Sequence, residues 1–310
     1  MQHLRKIIRS VREFSRDVSG LPATKPKPAS AIGLALGGGF ARGIAHIGVL
    51  KVLEEENIPI KLIAGTSVGA LVGALYCSGL CPAELEAVAA RVRFRSFARW
   101  TLSRLGFASN QRMVVFLSAI LKAKTFEELR IPLAVTATDF STGAGVVFRS
   151  GPLVEPIRAS CTYPGMFLPV KFEGRLLIDG MLAYSVPSVP LRQMGATRVL
   201  AVHLKGSWLN RNGNGPRHLF DVIGQCFSIA QDMNCGIWRA ASDLVLEPDV
   251  SPYGYDDFAH APDLIRAGEV AARAALPEIR KWLLTEPLQS TVLKAANPRP
   301  VPSSVALSEE

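Results

Sequence analysis

Short apolar runs alternate with segments of helical periodicity from residue 31 onward. "AIGLAL" (31–36) has strand length, the glycine-rich "GGGFARG" (37–43) follows, and "IAHIGVLKVLEEEN" (44–57) repeats its apolar residues at helical spacing. The order then recurs: "IKLIAG" (60–65) is a strand, "TS" a bend, and "VGALVGALYCSG" (68–79) a helix that Gly79 can terminate. Two strand-turn-helix units in succession predict neighbouring parallel strands, buried on both faces in an α/β fold.

This prediction competes with another at Leu62 to Ala83, which runs twenty-two residues without a charge. Such a length raises a transmembrane candidate. Its composition opposes that reading, because Gly65, Gly69, Gly73 and Gly79 stand together with Thr66, Ser67 and Ser78. A central strand and the helix packed on it account for the missing charges without a membrane.

Further along, residues 81–126 read as mostly helical, with Arg91, Arg93, Arg95, Arg99, Arg104 and Arg112 interleaved with aromatic and aliphatic residues. That pattern fits a lid or a membrane-facing segment over about 90–125, and it equally fits a helical pair with snorkelling arginines. Thr125-Phe126-Glu127-Glu128 has the form of a capping box. "IPLAVTATDF", "STGAG" and "VVFRSG" read as strand, turn, strand. A helix at "PLVEPIRASC", a strand at "EGRLLIDG", strands at "TRVLAVHLK" and "SDLVLEP", and a long helical stretch from 216 to 241 follow. "DLIRAGEVAARAALPEIRKWLL" should be a closing helix, kinked or stopped near Pro277, and residues 285–310 a disordered tail.

Charge changes the picture mainly at the start. The chain carries +9 overall, and residues 1–28 hold seven Lys or Arg against two acids. Leu4, Ile7, Ile8, Val11 and Phe14 recur there at helical spacing, so the arm could lie on an anionic membrane surface or remain a solvated helix. It lacks the uninterrupted apolar core of a signal peptide. The tract "LPATKPKPAS" is a linker, which places an arm and linker at 1–30 and one domain at 31–284. No helix-turn-helix, zinc finger or aromatic-interleaved basic stretch supports nucleic-acid binding. Five cysteines, odd in number and without a CxxC pair, fit a reducing compartment.

Three stretches hold residues that do little for packing alone. Gly65-Thr66-Ser67-Val68-Gly69 is a G-x-S-x-G at a strand-to-helix bend, where small residues on either side let the serine project at a helix N-terminus. Gly37, Gly38, Gly39, Phe40, Ala41, Arg42 and Gly43 form a loop whose amides can converge on a phosphate or an oxyanion. The loop misses the dinucleotide pattern G-x-G-x-x-G in every register, which favours the oxyanion. Asp179-Gly180 ends an apolar strand, where a carboxylate is costly unless it is used or satisfied. Of the histidines, His3, His46, His203, His218 and His260, none stands in a loop plainly placed to serve the serine. A partly desolvated carboxylate can act as base instead, so a Ser67–Asp179 pair is chemically reasonable.

In this order the Gly-rich loop with Arg-Gly, the "GTSVG" and the "IDG" resemble the bacterial patatin-like phospholipases, as do "RASCTYPGMFLPV" and "ATDFSTGAGVVF". The likeness covers about Ile32 to Leu204 well and thins toward 285. It implies a three-layer fold with a mainly parallel central sheet flanked by helices. It also implies Ser67 as nucleophile, Asp179 as base, Gly65 and Gly69 as the elbow glycines, and amides around Gly38, Gly39 and Phe40 as oxyanion hole, with Arg42 fixing the loop. The implied substrate is a phospholipid, lysophospholipid or other acyl ester, with no cofactor and no metal, in a cytoplasmic protein with possible contact at the inner membrane face through 1–28. Phe40 stands where the family often has Gly or Ala, and is expected to pinch the loop or wall the acyl pocket; Met181 departs similarly. Two other readings remain: a Ser–Asp–His esterase or thioesterase using His203 or His260, and a non-catalytic membrane-associated protein that keeps the fold.

Overall fold

A computed structural model describes residues 31–205, 216 and 219–284; the expected arm, linker and tail lie outside the described residues. Eight strands form one sheet. Its order is β10 (Leu244–Leu246), β9 (Arg198–Val202), β1 (Ile32–Leu36), β2 (Ile60–Thr66), β5 (Leu133–Asp139), β8 (Arg175–Asp179), β7 (Val170–Phe172), with β6 (Gly145–Phe148) also paired to β5. The pairs from β10 to β5 are parallel, and the pairs β5–β6, β5–β8 and β7–β8 are antiparallel.

Strand alternation feeds two apolar layers. β1 sends Ile32, Leu34 and Leu36 into the larger, which includes helices α1 (Ala45–Glu55), α2 (Val68–Cys77) and α10 (Ala261–Leu284). Ala35 joins the other, with Leu191 of helix α7 (Ser188–Gln193) and Trp238 of α9 (Gly236–Ala240), which follows α8 (Leu219–Met233). Both faces of the parallel strands are therefore covered, as their unbroken apolar runs require. The uncharged stretch from Leu62 divides into β2, held between β1 and β5, and α2. Gly79, at φ 106, ends α2 with its amide on the Tyr76 carbonyl. No helix among the described residues is long and apolar enough to cross a membrane.

Two expectations are corrected. The segment near 90–125 is not continuously helical: between α3 (Pro82–Arg91), α4 (Phe94–Phe97) and α5 (Gln111–Ile120) lies an antiparallel hairpin, β3 (Arg99–Ser103) with β4 (Gly106–Ser109). "RWTLS" alternates polar and apolar residues with period two, and that pattern prevails over the helical stretches beside it. No capping box forms at Thr125, since Glu128 accepts from the Lys124 amide and Glu127 from that of Gly151. At Pro277, where a kink or a stop is expected, the helix does not stop: Pro277 lies inside α10, which runs on to Leu284.

Candidate active site

Strand register builds the site. β2 lies along the first half of β5, with Thr66 opposite Thr136, whereas β8 lies along the second half in the opposite sense, with Asp179 opposite Ala137. Val135 and Thr136 pair with both β2 and β6, and Ala137 and Thr138 with both β8 and β6. A strand has only two edges, so β2 and β8 share one edge of β5 and meet with their C-terminal ends converging. Ser67, the residue after β2, is thereby brought to Asp179, the last residue of β8.

The bend at Ser67 is sharp enough to need its neighbours small. Ser67 has φ 54 and ψ −125, a conformation that costs a non-glycine residue about 1–3 kcal/mol. A Cβ on Gly65 would come within 2.5 Å of the Ala70 backbone, and one on Gly69 within 2.2 Å of the Leu36 carbonyl oxygen. Both elbow positions are thus closed to larger residues. The strained backbone is held from outside by Ser160, at the end of α6 (Val154–Ser160), whose Oγ accepts the Ser67 amide at 2.8 Å. Ahead of the bend, the Thr66 hydroxyl donates to the Tyr184 carbonyl at 2.7 Å and lies 2.7 Å from that of Thr136.

Asp179 is fully buried. Its amide donates to the Thr162 carbonyl at 2.9 Å, and its Oδ1 accepts from the Met181 amide at 3.0 Å. Oδ2 is buried without a hydrogen-bond partner. Burial raises the carboxyl to about 7, opposed by the Ser67 hydroxyl and the Met181 amide, which favour the ionised form. The hydroxyl is thus close enough to act on the carboxyl, but the pair lacks the full geometry of a hydrogen bond. Such contacts commonly tighten only around a substrate. Beside them the half-buried Cys161 has its thiol pushed well above its usual range by desolvation and by the Asp179 charge.

The glycine-rich loop is pinned at both ends. Gly37 donates to the Val202 carbonyl, Gly38 to that of Ser185 at 3.3 Å and Ala41 to that of Tyr255. His46, fully buried in α1, places Nε2 at 2.8 Å from the Gly37 carbonyl, and burial lowers its pKa to about 4. The ring is therefore neutral and donates. Arg42 donates from Nε to the Tyr253 carbonyl at 2.8 Å. Gly43 packs on Val68 at the start of α2. Among the described residues the Gly39 amide has no acceptor, while that of Gly38 is already engaged. Phe40 adopts φ 52, which strains a bulky residue, and sets its ring edge-on to Tyr163 and Tyr255 at centroid distances of 4.8 and 6.0 Å.

Two cavities are each lined by both Ser67 and Phe40. One, of about 800 Å³ with its mouth, is walled by apolar side chains of α2, α3 and α5, among them Leu71, Leu75, Val88 and Phe116. The other, about 710 Å³, presents Arg42, His203, Lys205, Gln231 and Asp232. Phe40 is thus a wall as well as a strained loop residue, and Met181 lines the polar cavity.

His203 reaches that cavity, but its Nδ1 lies 3.2 Å from Glu247 and its ring is tilted against Trp238 with centroids 5.1 Å apart. His260 is exposed and paired with Asp257 at 2.6 Å. His3 and His218 lie outside the described residues. Sequence reasoning missed the supports: His46 reads as one more helical residue, and nothing local marks its ring for the Gly37 carbonyl. Ser160 stands inside "RASCTYPGMFLPV", a stretch noticed without a role for its hydroxyl.

A serine strained at a strand-to-helix bend thus lies close to a buried carboxylate and beside a glycine-rich loop. The family model for patatin-like phospholipase matches residues 34–191, just over half of the chain, and the chain belongs to that family. An uncharacterized NTE family protein of Mycobacterium tuberculosis is 35% identical over 209 residues, which span 62% of this chain and 58% of that protein. Lysophospholipase NTE1 of Mycosarcoma maydis is 34% identical over 231 residues, covering 71% of this chain and 12% of its own. Human patatin-like phospholipase domain-containing protein 6 is 35% identical over 190 residues, 56% of this chain and 13% of its own. The chain therefore corresponds to little more than half of the mycobacterial relatives and to a small part of the others.

Proposed function

We propose that the chain is a serine acyl hydrolase of phospholipase A or lysophospholipase type, cleaving a fatty acyl ester of a phospholipid or lysophospholipid. The carrying observation is the end-to-end meeting of β2 and β8 on β5, which sets a strained serine against a buried carboxyl of pKa about 7. Asp179 accepts the Ser67 proton as Oγ attacks the ester carbonyl, and the alcohol leaves with that proton. Water then attacks the acyl-serine, giving its proton to the same carboxylate, and the fatty acid departs as Ser67 regains its hydroxyl. The glycine-rich loop supports the oxyanion, led by the unengaged Gly39 amide and assisted by the N-terminus of α2. Phe40 divides acyl chain from head group.

A serine-directed fluorophosphonate tests this reading. Labelling of the wild type that disappears in Ser67→Ala supports it, and labelling that persists at another residue refutes it. The Ser–Asp–His alternative draws on one observation, the presence of His203 on the wall of the same cavity as Ser67.

A further inference from the structure

Between Glu86 and Glu127 the chain carries six arginines, two lysines and no acid across forty residues. This segment folds as α3 to α5 with the β3–β4 hairpin, and its two sides differ. The inner side supplies Val92, Phe97, Met113 and Phe116 to the apolar cavity that ends at Ser67. The outer side exposes Trp100, Leu105, Phe107 and Val115, at 65%, 71%, 49% and 72% of their surface, among the exposed Arg95, Arg99, Arg104 and Arg112. Residues that large and apolar are not left in water without a cost, and here they lie on the segment whose inner side walls the apolar cavity.

The hairpin is also firmly seated. Phe107 and Ala108 donate to the Met166 carbonyl at 3.0 and 2.8 Å, Leu168 donates back to Ala108 at 3.1 Å, and Ala98 and Ala108 are buried against Tyr163, Met166 and Phe167. Its exposed side chains are therefore presented on a fixed support.

We propose that this face is a docking surface for anionic lipid bilayers, with Trp100, Leu105 and Phe107 entering the head-group region and the surrounding arginines meeting lipid phosphates. The inference rests on the hydrolase reading only for its purpose, since docking presents the apolar cleft to the membrane from which an acyl chain would enter. Charge decides the occupant. An unbroken basic segment matches an anionic surface, and the interleaved aromatic and aliphatic side chains match the boundary between head groups and acyl chains. A nucleic acid would use the arginines but give Leu105 and Val115 nothing to bury against.

The test uses the full chain bearing Ser67→Ala, so that no lipid is consumed, and vesicles of phosphatidylcholine with or without phosphatidylglycerol. Sedimentation should show binding to the anionic vesicles, released by salt. Arg99→Gln with Arg104→Gln should weaken it roughly thirty-fold, about five-fold for each charge. Trp100→Ala should weaken it with the charge intact. In the Ser67 background, Arg99→Gln with Arg104→Gln should hydrolyse a soluble short-chain ester at the wild-type rate yet lose activity on vesicles, which also shows that the variant is folded. Equal binding of all these variants to anionic vesicles overturns the proposal. So does binding that disappears only when residues 1–28 are deleted, or a preference for RNA over vesicles at equal phosphate concentration. Absence of all hydrolysis with vesicle binding intact would instead refute the hydrolase reading and leave the docking surface standing.

Discussion

The two cavities that meet at Ser67 are similar in size and opposite in character. On the α2 side every wall is hydrocarbon or aromatic apart from Ser67 and Cys161, and the opposite side gathers a lysine, an arginine, a glutamine and an aspartate. Among the described residues only Ser67 and Phe40 belong to both. An amphipathic ester has one low-energy way to lie across such a boundary, with its chain in one cavity, its head group in the other and its carbonyl at the serine. On the proposed hydrolase reading the contrast would supply orientation, and the Ser67–Asp179 pair only reactivity.

The largest expected effect removes the reactive atom at the boundary. Ser67→Ala should reduce kcat/KM for any acyl ester on the order of a million-fold, to background, whichever cavity the substrate favours. A circular dichroism spectrum and melting temperature at or above wild type would show that only chemistry was lost, since the φ 54 backbone stores strain that the hydroxyl does not relieve.

Asp179→Asn should cost about 10²–10⁴-fold, the usual contribution of a positioned base. The wild-type rate should rise with pH through about 7, where the carboxyl ionises, and then level off. The same shift governs stability with the opposite sign. A folded-state pKa raised above the ordinary carboxyl value of about 4 means that the folded protein holds this proton more tightly, so stability falls as pH climbs from about 4 to about 7 and is flat beyond. Asparagine carries no such penalty. Its melting temperature should exceed that of wild type at pH 8, and the difference should fade below pH 4. A variant with no gain at pH 8 would show that the carboxyl is not held in a desolvated site.

Much of this was legible in the chain and some was not, for a physical reason. Local pattern marked β1, β2 and the helices after them, because their apolar runs and bends are set by neighbours in sequence. It also marked Ser67 and Asp179 as residues without a packing role. The juxtaposition of those two, 112 positions apart by their numbering, depends on β8 turning antiparallel against the far half of β5, a matter of register that no local pattern records. The hairpin at Arg99 was hidden for the converse reason: its period of two spans only a few residues within a segment otherwise helical. His46 is the extreme case, since its function lies in one hydrogen bond to a loop that folds back over its own helix.

The cavities can be tested separately, with smaller effects. Leu71 is only partly buried in the apolar wall, so Leu71→Trp fills space without crushing the core. Esters of long-chain acids should lose about ten-fold or more relative to short-chain ones, measured as a ratio of kcat/KM values. Equal losses for both would mean that the chain lies elsewhere. Lys205→Ala, on the polar side, should lower the preference for a phosphate-bearing head group by a few-fold, about the worth of one exposed charge.

The smallest expected effect belongs to His203, whose position invites the largest. It shares a cavity with Ser67 and has a carboxylate at Nδ1, the outline of a triad. Its partner Glu247 is itself bound by Arg239, and burial holds the imidazole below its ordinary pKa. The arginine thus draws negative charge away from the ring that a catalytic imidazolium would need. Asp179, in contrast, stands at the serine with one oxygen unpartnered and an affinity for protons suited to neutral pH. His203→Ala should leave kcat/KM within about three-fold of wild type, less than 1 kcal/mol in the barrier, with the pH midpoint still near 7. A loss of a thousand-fold together with a displaced midpoint would move the base from the sheet to the polar cavity and make Asp179 its distant support.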